Sequence, residues 1–323
     1  MIKTDSFFPA LLKTIIIVIF LLPAFACGKK DKPVLTSLPK DTVFSASYPT
    51  DQLPVSPQFY LSDTAWLKDD NLKELSGLII SSAPDEATLW GEEDSGNKNA
   101  IYLLDTLGYL LGTKYLAGVF DRDWEDMAGG PGPEQGKYYI YLGDIGDNLR
   151  IFPYITVYRF IEPEPDPAQW KDSTVDHFDV INLLYPDGPH NAEALIVDPW
   201  TKDIYIITKD TVAGLYVARY PQNIHEATTT VKLGTLPVST VTAADITADG
   251  KQILIKNYDN VFYWTRKQGE SIAHCLQQQP QRLDYVKEYQ GESIAWAKSG
   301  KGYYTISEKV GNHIPVLYHY ASH

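Results

Sequence analysis

The chain has 323 residues, 44% hydrophobic and 21% charged, an ordinary globular mixture. Disordered, collagenous and low-complexity classes are excluded, and one large domain or two medium ones fit the length. With 41 Asp+Glu against 28 Lys+Arg, the net charge is −13. That argues against nucleic acid, whose binding needs phosphates neutralised by basic side chains, and favours cations.

The first element is an address. Lys3 and Lys13 accompany an apolar run over 14–22, and Ala24-Phe25-Ala26 has the small-x-small form of a cleavage site directly before Cys27. This resembles a bacterial lipoprotein signal; the alternatives are a plain secretory peptide or an uncleaved anchor. The run is short of the roughly 20 residues a spanning helix needs. Residues 1–26 are expected to be the signal and 27–44 a tether. Cys27 is the expected lipidation site, placing the protein at the membrane of a bacterial cell envelope, periplasmic or surface-exposed. Cys275 then has no disulfide partner and is read as a packed core residue.

From residue 45 onwards a unit recurs: a carboxylate, a small residue, then an apolar run. It begins at Glu74, Glu125, Glu193, Asp245 and Glu292, at intervals of 51, 68, 52 and 47 residues. Seven to 13 residues after each carboxylate comes a strand-like run, starting at Ala87, Tyr138, Asp203, Gln252 and Gly302. A third run carries Tyr102, Tyr158, Tyr216, Tyr263 or Tyr318, and a fourth begins at Gly112, Phe178, Thr230 and Leu283. The abundance of tyrosine (22) against methionine (2) suits strands, where rings pack on pleated surfaces. Four short strands per unit predict an all-β, five-bladed β-propeller over 45–323, with four-stranded antiparallel blades. The last unit lacks a fourth strand, which residues 58–66 could supply, joining the two ends of the chain in one ring. The 68-residue interval leaves a six-bladed alternative, and a β-sandwich is the other competing fold.

Inner strands of a propeller line its channel, so Glu74, Glu125, Glu193, Asp245 and Glu292 are expected to converge at one mouth. Carboxylates that close repel one another unless cations or hydrogen-bond donors hold them. Oxygen ligands suit calcium or another divalent cation, and no His/Cys cluster points to zinc. The second strand returns to the same face, bringing Asp94, Asp144, Asp147, Asn148, Asn257 and Glu308 as supporting groups. Arg150, His190 and Lys209 arrive nearby and are candidates for catalysis on an anionic ester. The competing reading has the carboxylates simply accepting hydrogen bonds from neighbouring strands. Gly146, in the GDIGDN loop, is read as a turn residue with positive φ.

The motifs DWEDMA from Asp123, YLGDIGDN from Tyr141, VYRFIEP from Val157 and NAEALIVD from Asn191 resemble a group of secreted bacterial propeller proteins without assigned function. More distantly, ELSGL from Glu74 and GESIA from Gly291 are similar to SdiA-regulated and esterase-like phytase propellers. The resemblance implies a propeller with a cation in or near the channel mouth and, faintly, ester hydrolysis. Propeller lactonases hold calcium with one Glu plus Asn and Asp. Here the inner positions are almost all carboxylates, and only Asn148 and Asn257 offer amides. Two functions stay open: metal-assisted hydrolysis of a small anionic ester, or a non-catalytic module binding envelope glycans or proteins. No G-x-S-x-G, Walker or dinucleotide motif is present.

Overall fold

A computed structural model of the chain describes residues 43–83, 88–164 and 172–323. The signal, Cys27 and all of the tether but its last two residues lie outside them. No helix among the described residues is long and apolar enough to cross a membrane.

Five sheets form five blades. In the first, β3 (Leu75–Ile80), β4 (Thr88–Glu93), β5 (Ala100–Asp105) and β6 (Leu110–Leu116) run antiparallel from the channel outward. The second has β7 (Trp124–Pro131), β8 (Tyr138–Asp144), β9 (Ile155–Ile161) and β11 (Asp179–Leu184). The third has β12 (Ala192–Val197), β13 (Ile204–Thr208), β14 (Ala213–Ala218) and β16 (Val231–Leu236). The fourth has β17 (Val241–Ile246), β18 (Gln252–Asn257), β19 (Val261–Thr265) and β20 (Gln281–Leu283), with the short helix α1 (Ile272–Leu276) before the last. The fifth combines β21 (Gly291–Trp296), β22 (Gly302–Ser307) and β23 (Val316–Ser322) with β2 (Phe59–Trp66). Phe59 pairs with Ser322 and Trp66 with Val316, so the N-terminal segment closes the ring as expected.

Three blades gain a fifth, parallel edge strand: β10 (Ser173–Val175) on β6, β15 (Thr228–Thr229) on β11 and β1 (Phe44–Ser45) on β16. The long second-unit interval is thereby explained. Part of it reaches back to cover the first blade's outer edge, where unpaired backbone would otherwise invite another strand. The described residues hold no sixth sheet. One expectation is corrected. The fourth blade's outer strand ends at Leu283 rather than starting there. Residues beyond it turn inward: Tyr320 Oη accepts from the Val286 amide at 2.9 Å, and Tyr285 donates to Glu288 at 2.7 Å.

Strand periodicity explains the core. Successive side chains of β12 point to opposite faces. Ala194 and Ile196 enter the cluster shared with the fourth blade, and Leu195 and Val197 the cluster shared with the second. Each of the five blade–blade contacts has such an apolar cluster, and both faces of most inner strands are therefore buried. Polar ties cross the same contacts. Arg266 makes a two-pronged pair with Asp198 at 2.9 and 2.8 Å, fully buried and stacked on Trp200 at 3.8 Å.

Closure should be measurable at Phe59, whose ring lies 5.6–5.7 Å from those of Tyr263, Trp296 and Tyr303. Phe59→Ala is expected to cost about 3–5 kcal/mol in denaturant unfolding. A loss below about 1 kcal/mol would mean the closing strand adds little packing.

Candidate active or binding mouth of the channel

Every inner strand begins with the same irregularity. The inner strand carries one residue more than its partner between Leu75 and Leu78, Trp124 and Asp126, Ala192 and Ala194, Val241 and Ala243, and Gly291 and Ser293. A bulge of this kind re-aims a side chain. Counted from those pairs, the bulge residues are Ser76, Glu125, Glu193, Thr242 and Glu292. The residues leaving the second strands at the same height are Asp94, Ile145, Lys209, Tyr258 and Glu308.

Three of the five expected carboxylates, Glu125, Glu193 and Glu292, therefore occupy equivalent places. Glu74 and Asp245 do not: Asp245 leaves the mouth, which corrects the expected convergence, whereas Glu74 stays close enough for its charge to raise Asp94 and Glu308. Glu74 precedes its bulge by two residues, is exposed, and accepts from Asn97. Asp245 follows its bulge by three, which carries it along the channel towards the opposite mouth. There it accepts from the Ile246 and Trp296 amides, both at 2.7 Å. The sequence repeat aligned apolar runs behind a carboxylate, but in blades one and four a hydroxyl holds the bulge.

The alternative of structural hydrogen bonding holds for Asp245 and also for Asp126, which accepts from the Met127 and Leu195 amides at 2.8 Å. The hydroxyls do the same work in reverse. Ser76 donates to Glu125 O at 2.7 Å, Ser293 to Ser76 O at 2.6 Å and Thr242 to Gly291 O at 3.2 Å.

Around the mouth, charge is divided unevenly. The Lys209 ammonium pairs with Glu193 and lies 3.4 Å from Glu292, over the Tyr258 ring. Tyr258 also donates to Glu292. Across the mouth, Asp94 belongs to two carboxylate groups, one with Glu292 and Glu308, the other with Asp123 and Glu125. Within each group one oxygen per residue lies within 4.8 Å of the others. Among the described residues no basic side chain forms an ion pair with Asp94, Asp123, Glu125 or Glu308. Asp123 was not singled out as a ligand in the sequence; the DWEDMA run contains it, but its neighbour Glu125 fitted the repeat better. Lys256 was also missed. It is fully buried below the mouth, donates to Gly291 O, and lies 3.9 Å from Glu288.

Gly146 approaches the acidic group for a reason other than the expected one. Its φ is not among the positive ones; instead, a Cβ there would collide with the carboxylates of Glu125 and Asp123. The rest of its loop is held locally. Asp147 accepts from the Ile151 and Phe152 amides at 2.9 and 2.8 Å, and Asn148 accepts from Asn191 at 3.3 Å. Asp144 pairs with Arg122 at 3.2 Å. Asn257 spends its side chain on Ser239 O and the Asp259 and Asn260 amides. The basic candidates separate. Lys209 sits in the mouth, whereas Arg150 pairs with Asp210 at 2.5 Å. His190 lies against Tyr216 at 2.9 Å, Asp187 at 3.2 Å and Asp210 at 3.4 Å.

Burial, reinforced by like charges, pushes Asp94 up to about 6, Glu308 up to about 9 and Glu125 well above the carboxylate range. Burial likewise lifts Glu193 to about 8, against the pull of Lys209. Burial would lower the Lys209 ammonium, but Glu193 and Glu292 raise it and hold it charged. Below the mouth, burial brings Lys256 down to about 8. Neither a known protein family nor a curated protein matches this chain. Fold and site together define a five-bladed β-propeller with an acidic channel mouth, one side of it neutralised by an internal lysine.

The raised carboxylates hold protons in the folded state that the unfolded chain releases near pH 4. Their contribution is full below that pH and is lost as pH rises through the folded values, so unfolding becomes easier. In chelator the melting temperature should therefore fall between pH 5 and 7.5, a window below the titration of Lys256. A melting temperature that stays level or rises across that window would contradict this charge arrangement.

Proposed function

We propose that this propeller binds a divalent cation, calcium by its all-oxygen donor set, at the channel mouth around Asp94. The observation that carries it is Asp94's membership of two carboxylate groups, among whose members only Glu292 pairs with a basic side chain of the described residues. Asp94, Asp123, Glu125, Glu292 and Glu308 supply hard oxygen ligands in the number and flexible arrangement calcium accepts. Bound there, the ion would offset the repulsion among them and release the protons they hold.

The bound cation would organise a capture face, and this reading has more support than hydrolysis. Exposed apolar side chains stand on loops of the same face: Phe120 (81% exposed), Leu149 (77%), Ile151 (63%) and Tyr289 (63%). A collar of this kind around a charged centre suits an envelope protein or glycan presenting an anionic group. Hydrolysis would need a free proton carrier beside the cation. His190 and Arg150 are instead engaged with Asp187, Tyr216 and Asp210, and Lys209 is held charged between two glutamates. Lipid on Cys27 would hold the protein at a bacterial membrane; its support is the cleavage-like sequence that precedes it.

Calorimetric titration of calcium into the metal-stripped protein tests the proposal. Saturable binding is expected, with a Kd on the order of 10⁻⁴ M, as in extracellular modules. Asp94→Asn should weaken it about tenfold or more, while Asp245→Asn leaves it unchanged. Absence of saturable binding, or an unaltered isotherm for Asp94→Asn, would refute it.

A further inference from the structure

The opposite mouth of the channel, where the inner strands end, contains a cavity of about 420 Å³. Ile80, Pro131, Tyr138, Val197 and Ile246 are among the residues that line it, and Asp245 stands on its wall. Asp245 is partly exposed although Ala244 and Ile246 on either side are buried. Asp245 thus keeps some exposure in a chamber that is largely apolar, though Lys137 and Lys298 also stand on its wall.

We infer that this cavity is a binding site for a small apolar molecule carrying a protonated amine, with the ammonium on Asp245 and the apolar body against Ile80, Val197 and Ile246. The volume lies in the range of small-ligand pockets, which are largely apolar with a few fixed polar groups. Asp245 is such a group. One oxygen accepts from the Ile246 amide and the other from the Trp296 amide, so its orientation is set by the backbone of two blades. Each oxygen keeps acceptor capacity beyond that one bond. Among the described residues no basic side chain forms an ion pair with it. Lys298, also on the cavity wall, directs its ammonium to Ser82 O at 2.6 Å and Ala83 O at 2.7 Å. A largely buried carboxylate without a counter-charge is costly, and an ammonium from outside would reduce that cost.

The site is separate from the acidic mouth and does not depend on calcium binding there. Calorimetry with 2-phenylethylamine and 2-phenylethanol tests it on the whole protein and on Glu125→Gln, which alters the acidic mouth alone. The amine is expected to bind about tenfold or more tightly than the alcohol in both proteins, since a charge-assisted bond replaces a neutral one. Asp245→Asn should erase that difference. Ala248→Trp, at an exposed position lining the cavity, should weaken both ligands without touching the core, so it carries the test if Asp245→Asn misfolds. Equal binding of amine and alcohol, amine binding lost in Glu125→Gln, or amine binding unaffected by Ala248→Trp would overturn the inference.

Discussion

Five inner strands packed around one axis impose the constraint on which the rest depends. Adjacent inner strands touch in the order β3, β7, β12, β17, β21 and back to β3. A side chain at a given height is thus brought close to its counterparts on the other blades. Groups that would sit apart on a flat sheet become neighbours, and their charges have little water between them. The bulge that opens each inner strand selects the height at which this crowding occurs.

The protein answers the crowding in three ways. Hydroxyls replace carboxylates at two of the five bulges, Ser76 and Thr242, and tie neighbouring blades together. Lys209 brings an internal cation between Glu193 and Glu292. Deeper carboxylates, Asp126 and Asp245, are held by main-chain amides of the next blade. The Asp94 side receives none of these remedies in full, and the burial of its carboxylates raises their proton affinity. An unbalanced group in a rigid setting has the character of a site rather than of a staple.

The two mouths differ because a channel strand reads differently at its two ends. At the start, second-strand exits and bulges gather Asp94, Lys209, Tyr258 and Glu308 beside the inner glutamates. At the end, apolar residues such as Val197 and Ile246 surround a cavity with Asp245 on its wall. Asp245 belongs to the second environment, and its chemistry follows from that place rather than from its likeness to Glu193 in sequence.

Blade number, antiparallel order and the closing strand were legible in the sequence. Alternating apolar runs can only be buried if strands stack on both faces, and the unit recurs five times with its last strand missing. The glutamates at 125, 193 and 292 were legible for the same reason. Register was not. A repeat records which residues follow one another, and a shift of two or three residues leaves the apolar pattern acceptable while moving Glu74 and Asp245 out of the ring. The pairing of β-strands alone decides that shift. Tertiary structure likewise decided that Asp123, Tyr258 and Lys256 gather near the mouth, because they come from segments with no shared motif. It also decided that His190 and Arg150 stand aside, since their partners Asp187, Asp210 and Tyr216 reach them only after the blades have folded.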